Sequence, residues 1–160
     1  MLFNDDTTAD GIAAIGRAHR AYGTTGFLPT LISDELGVIS AAMRAVEDAI
    51  AAGVPGVLGI HIEGPFIARL RNGTYIPDLG RTLDAESKAL LKSLKRGRTL
   101  VTLAPENCAP DDIRELAGAG VIVAAGHTDA TYAETKQALA AGVTGFTHLF
   151  NAMSPLTSRE

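Results

Sequence analysis

A single cysteine, Cys108, stands in a chain of 160 residues. It excludes an internal disulfide framework and fits a reducing cytosol. No basic excess is present either: Lys and Arg total 14 against 18 Asp and Glu, a formal net charge of −4. That balance argues against a nucleic-acid surface, and no cationic amphipathic helix suggests a membrane surface. No apolar run reaches transmembrane length, and the opening "MLFNDD" is neither a signal peptide nor a basic transit segment. Low-complexity tracts and linkers are missing, so nothing marks a domain boundary. What remains is 46% hydrophobic and 20% charged, the composition of a soluble globular protein with one core.

Two signals alternate along the chain. Short apolar, β-branched runs read as buried strands over Thr24–Ile32, Val57–Glu63, Thr99–Glu106, Val121–His127 and Val143–Phe150. Ala/Leu-rich segments of helical period lie between them, roughly Asp10–Tyr22, Asp34–Ala52, Asp84–Arg96, Asp111–Ala119 and Ala130–Ala141. Asp or Ser stands near several helix starts, and Gly23, Gly53, Gly97, Gly120 and Gly142 follow the helix ends. Strands without polar alternation should be covered on both faces, and the short connections leave the helices as crossovers. This predicts a parallel α/β sheet of about five consecutive βα units. An open doubly wound sheet and part of a TIM-type barrel both satisfy the pattern. A helix precedes the first strand, which leaves room for a strand upstream.

Two of the strands run straight into a histidine, "VIVAAGH" at His127 and "GFTH" at His148, in a chain with four histidines. A third, "VLGIHIE", ends on Glu63. In parallel α/β folds the C-terminal strand ends are where chemistry sits. Two imidazoles and a carboxylate on one rim form a ligand set known for catalytic zinc, with one position left open. Taken singly, each is a capped strand end or a core histidine, and the pattern alone leaves both readings standing. His61, two residues before Glu63, faces the same side of its strand and is either a further ligand or a supporting, packing residue. His19, beside Arg17 and Arg20, reads as a solvated surface residue. Glu106 either touches the site or caps the loop after "LAPE". Thr128 and Asp129 read as helix caps. Cys108 has no base in view and reads as an inert thiol. "NAMSP" and "SRE" fall on the rim where a substrate would sit. Amides near Asn151 and Ala152, with the guanidinium of Arg159, suit an anion.

Taken together, "GIHIEGPFI", "VTLAPE", "AAGHTDATY" and "THLFNAMSPLTSRE" closely resemble the N-acetylglucosamine-6-phosphate deacetylases of the amidohydrolase superfamily. "NDDTTADGIAAIGRAHRAYGTTGFLPTLISD" is similar to the region just after that family's first barrel strand, so the resemblance covers essentially the whole chain. It implies that residues 1–160 form the central part of a catalytic (β/α)8 barrel. The family's β-sandwich domain, its first barrel strand and its C-terminal barrel units would lie outside the chain. Glu63, His127 and His148 fall on the family's metal-ligand positions, for a divalent ion, zinc first. Asn151 and Ala152 fall on substrate-contacting positions, and Arg159 on an arginine that binds the sugar phosphate across a homodimer interface. The activity implied is cytoplasmic hydrolysis of N-acetylglucosamine 6-phosphate to glucosamine 6-phosphate and acetate.

Two departures qualify this. Where the family has Lys-Gly-Ala-His after "EGPF", this chain reads "NGTY", placing Tyr75 at the position of a sugar-contacting histidine. The family's catalytic aspartate would fall beyond Glu160, so no proton-transfer residue is expected within the chain. Two other readings therefore stay open. One is an amidohydrolase for a different N-acyl sugar or a cyclic amide, and the other is an inactive truncated remnant.

Overall fold

The structure, a computed structural model, describes residues 2–68, 71 and 81–156. Tyr75 and Arg159 lie outside the described residues. Among the described residues five α-helices and five strands alternate: α1 (Ala9–Arg20), β1 (Thr30–Ile32), α2 (Leu36–Ala51), β2 (Gly59–Glu63), α3 (Ala85–Leu91), β3 (Arg98–Leu103), α4 (Pro110–Gly118), β4 (Ile122–Ala125), α5 (Tyr132–Ala141) and β5 (Val143–Phe146).

All five strands are parallel and form one sheet in the order β1-β2-β3-β4-β5. This order separates the two architectures. A doubly wound sheet reverses its strand order at a switch point, whereas here every crossover moves one strand in the same direction. Right-handed crossovers that never reverse set all their helices on one face. The fold is α/β, a parallel sheet wound in one direction as in part of a (β/α)8 barrel.

Cover on both faces holds for β2, buried at every residue, but the two faces differ in kind. Leu31, Ile60, Ile62, Val101, Leu103, Val123 and Ala125 join the helices in the apolar core, each at most 1% exposed. In α2 the same core takes Ile39, Ala42, Met43, Val46 and Ala49, the three-and-four spacing of one helical stripe. Thr30, His61, Glu63 and Thr102 point the other way, away from the helices. A strand such as "GIHIE" thus alternates after all, polar inward and apolar towards the helices.

The strands are shorter than the apolar runs. Pro29 has no N–H for the ladder, so the first run pairs only over Thr30–Ile32 plus an isolated bridge between Phe27 and Val57. At the other ends, β4 and β5 stop before His127 and His148, whose positive φ angles, 49° and 33°, are incompatible with extended backbone. α5 starts at Tyr132, because Thr131 and Glu134 form a reciprocal capping box. α3 stops at Leu91, and Lys95 N–H instead donates to Glu47 Oε1 at 2.5 Å.

Candidate metal centre

Register sets the site. Glu63 pairs with Thr102, and Thr102 with Ala124, which pairs with Gly145. His127 lies three residues beyond Ala124, and His148 three beyond Gly145. The two histidines therefore occupy equivalent points of successive strands, on the rim where β2 ends in Glu63. Gly64 lets the chain turn off sharply after Glu63: its φ is +90°, and a Cβ there would run into Ser33 Oγ. Ser33 Oγ in turn donates to the Glu63 carbonyl at 3.3 Å.

Three donor atoms meet at this rim. His127 Nε2 and His148 Nε2 are each 3.1 Å from Glu63 Oε1 and 3.0 Å from one another. Glu63 and His127 are buried, at 9% and 5% exposure, while the His148 side chain is a third exposed and forms the open side. The rings stand edge to face, with centroids 4.7 Å apart.

The tautomers follow from the far side of each ring. His127 Nδ1 is 2.6 Å from the Arg71 carbonyl and His148 Nδ1 is 3.1 Å from the Asn151 carbonyl. A carbonyl only accepts, so in both neutral rings Nδ1 carries the hydrogen and Nε2 presents a lone pair. Two lone pairs and a carboxylate converging at about 3 Å repel one another unless a cation or proton lies among them. An ion about 2.0–2.2 Å from each ligand in a tetrahedral site separates those ligands by roughly 3.4 Å. The observed triangle is close to that, and carbonyl-anchored Nδ1–H groups are the usual outer support of metal-bound histidine. The donor set fits a divalent ion. Burial alone would depress the pKa of His127. The Glu63 hydrogen bond, the Arg71 carbonyl and the Glu63 charge outweigh burial and raise it.

His61 is not one of the three. Its Nδ1 lies 3.1 Å from Thr30 Oγ1 and its Nε2 2.7 Å from Thr102 Oγ1, so both ring nitrogens are engaged with hydroxyls. Burial lowers its pKa, with Glu63 opposing and His148 adding to the shift, which keeps the ring neutral. His19 is exposed on α1. Cys108 is buried, and burial with the charges of Asp112 and Glu106 pushes its thiol up to about 12.

The reading of Thr128 and Asp129 as helix caps is corrected, since Thr131 caps α5. Both residues instead anchor the turn that carries His127. Glu106 takes the Thr128 hydroxyl on Oε2 at 2.5 Å and the Asp129 N–H on Oε1 at 2.7 Å. Asp129 Oδ1 also pairs with the Arg71 guanidinium at 2.6 Å. Thr128 N–H donates to the Ala152 carbonyl at 3.1 Å. Glu106 thus supports the site without entering it. The Asn151 N–H closes its own turn on the His148 carbonyl at 2.8 Å, so that amide is engaged within the loop.

No protein-family model matches the chain. An N-acetylgalactosamine-6-phosphate deacetylase from Shewanella sp. strain ANA-3 is 41% identical over 160 residues, 100% of this chain and 41% of that protein. An N-acetylglucosamine-6-phosphate deacetylase from Haemophilus influenzae is 34% identical over 158 residues, 99% of this chain and 42% of that protein. The crystal structure of N-acetylglucosamine-6-phosphate deacetylase from Pasteurella multocida superposes with a TM-score of 0.93 at 31% identity, covering 99% of this chain and 42% of that one. The chain is a homologue of the amino-sugar-6-phosphate deacetylases. It spans about two fifths of the length of the deacetylases it matches.

Some residues of this deacetylase homologue escaped sequence reasoning. Thr102 and Thr147 touch, Arg71 lends its carbonyl to His127, and Gly126 leaves space between them. The two threonines carried a faint signal at most: each is a hydroxyl near the C-terminal end of a largely apolar run, "LVTLA" and "TGFTH", and neither is the sole threonine of its run. Arg71 carried none, because a backbone carbonyl has no sequence signature.

Proposed function

We propose that the chain carries the metal centre of a deacetylase that hydrolyses the acetamide of an N-acetylated amino-sugar 6-phosphate, releasing acetate and the free amine. The convergence of Glu63 Oε1, His127 Nε2 and His148 Nε2, all within 4.8 Å of one another, carries this reading. Residues 1–160 are then the central part of a catalytic barrel, in a cytoplasmic homodimer.

Glu63 and the two neutral imidazoles would hold one divalent ion, zinc by preference, with other first-row ions compatible with the same donors. When bound, such an ion supplies a Lewis acid for an amide carbonyl and lowers the pKa of a coordinated water. Glu63 contributes the negative charge, and the Arg71 and Asn151 carbonyls lock the ring tautomers. Asn151 and Ala152 border the open side beside His148. Arg159 and Tyr75 complete the substrate contacts, to the phosphate and the sugar respectively. No residue of this chain is assigned the proton transfer to the leaving amine.

N-acetylglucosamine 6-phosphate is the substrate of first choice. A second reading, N-acetylgalactosamine 6-phosphate, is favoured by the Shewanella relative named for it, 41% identical against 34% for the Haemophilus relative. The two sugars differ only in the configuration of one ring hydroxyl. Acetate release from both, by metal-loaded full-length protein with and without chelator, tests the proposal. Turnover of at least one, abolished by chelator, is expected. A metal-loaded protein that releases acetate from neither sinks it.

A further inference from the structure

Beneath the three donors a row of hydroxyls and one imidazole crosses the sheet. Thr30 Oγ1 on β1 lies 3.1 Å from His61 Nδ1 on β2. His61 Nε2 lies 2.7 Å from Thr102 Oγ1 on β3, and Thr102 Oγ1 lies 2.6 Å from Thr147 Oγ1, one residue past β5. The last step passes over β4. It can do so because the residue following β4 is Gly126, where a Cβ would sit 2.8 Å from Thr102 Cγ2 and 2.9 Å from Thr147 Cβ. Gly126 is not among the glycines with positive φ, so no turn requires it. A side chain there would collide with the two threonine side chains where they meet.

Thr147 immediately precedes His148. The β4–β5 pairing carries a register shift between Val123 and Ala124, so the ladder alone specifies the height of this strand end weakly. Thr147 N–H donates to the Ala125 carbonyl at 2.9 Å, which fixes the main chain on one side. The Thr102 hydroxyl fixes the side chain from the other, and Thr102 is level with Glu63 in the sheet.

We infer that Thr147 is a positioning residue: its hydroxyl, held by Thr102 and His61 across the gap at Gly126, sets the height of His148 relative to Glu63 and so the fit of the donor set to one cation. The inference rests on the metal-centre reading above. Thr147 is not one of the three candidate donors and acts through His148.

Cobalt(II) titration of the full-length protein tests it, with visible absorption reporting the ligand field and far-ultraviolet circular dichroism reporting the fold. Thr147→Val is expected to keep the fold, change the cobalt spectrum and weaken cobalt binding by about 10- to 100-fold, the usual effect of losing an outer support. Thr147→Ser restores the hydroxyl and is expected to bind like the parent. Gly126→Ala keeps every hydroxyl but wedges the pair apart, and is expected to behave like Thr147→Val. It decides the matter if Thr147→Val does not fold. Parental affinity and spectrum in Thr147→Val, or equal weakening in Thr147→Ser, overturns the inference and leaves the metal centre standing. A parent protein that binds no cobalt overturns both.

Discussion

His127 and His148 face each other with Nε2 atoms 3.0 Å apart, and the Nδ1 of each ring is turned onto a backbone carbonyl. Neither ring can relieve the contact by exchanging tautomers, because each Nδ1–H is already committed. The pair with Glu63 is therefore a trap for one positive charge, either a proton or a metal ion.

Competition between those two occupants gives a pH dependence with a definite sign. In the metal-free protein the folded-state pKa of His127 is raised above its unfolded value. The stability contributed by its proton is present below the unfolded value of about 6.5 and is lost as pH rises through the raised value. Metal must displace that proton. The gain in Tm on adding zinc should thus be small near about pH 5.5 and grow towards about pH 8. A zinc-induced gain that is flat across this range would show that His127 is not a ligand. His127→Ala and His148→Ala should each weaken zinc binding by more than about 100-fold, exceeding the loss of an outer support. Elemental analysis after a chelator titration measures this.

Thr131 and Asp129 separate cap from clamp. Thr131 Oγ1 accepts from the Glu134 N–H at 3.3 Å, and Glu134 Oε2 accepts from the Thr131 N–H at 2.8 Å. Thr131→Ala should cost about 1 kcal/mol in denaturant unfolding. Asp129→Ala breaks a partly exposed ion pair with Arg71 and should cost under about 1 kcal/mol. The reverse ranking would restore Asp129 as the cap.

Cys108 should be inert in the folded protein. With its thiol pushed up to about 12, roughly one molecule in ten thousand carries the thiolate at about pH 8. An aromatic disulfide reagent should label it only in denaturant. Rapid labelling of native protein would mean the surrounding loop opens.

The order of elements was legible from residues alone, and the three donors stood out there as candidates. Buried parallel strands need apolar runs, crossovers need helical period, and polar side chains at C-terminal strand ends stand out against both. Glu63, His127 and His148 could be selected because each interrupts such a run at its end. Their approach to about 3 Å was decided by register, since β2, β4 and β5 are far apart in sequence and only the ladder fixes their relative heights. Tertiary structure alone also settled the direction of winding, which requires knowing which strand lies beside which. It moved the α5 cap to Thr131, because Glu106 and Arg71, from other loops, claimed Thr128 and Asp129 first. It gave Gly126 its role as well: an empty space means something only once Thr102 and Thr147 are seen meeting through it.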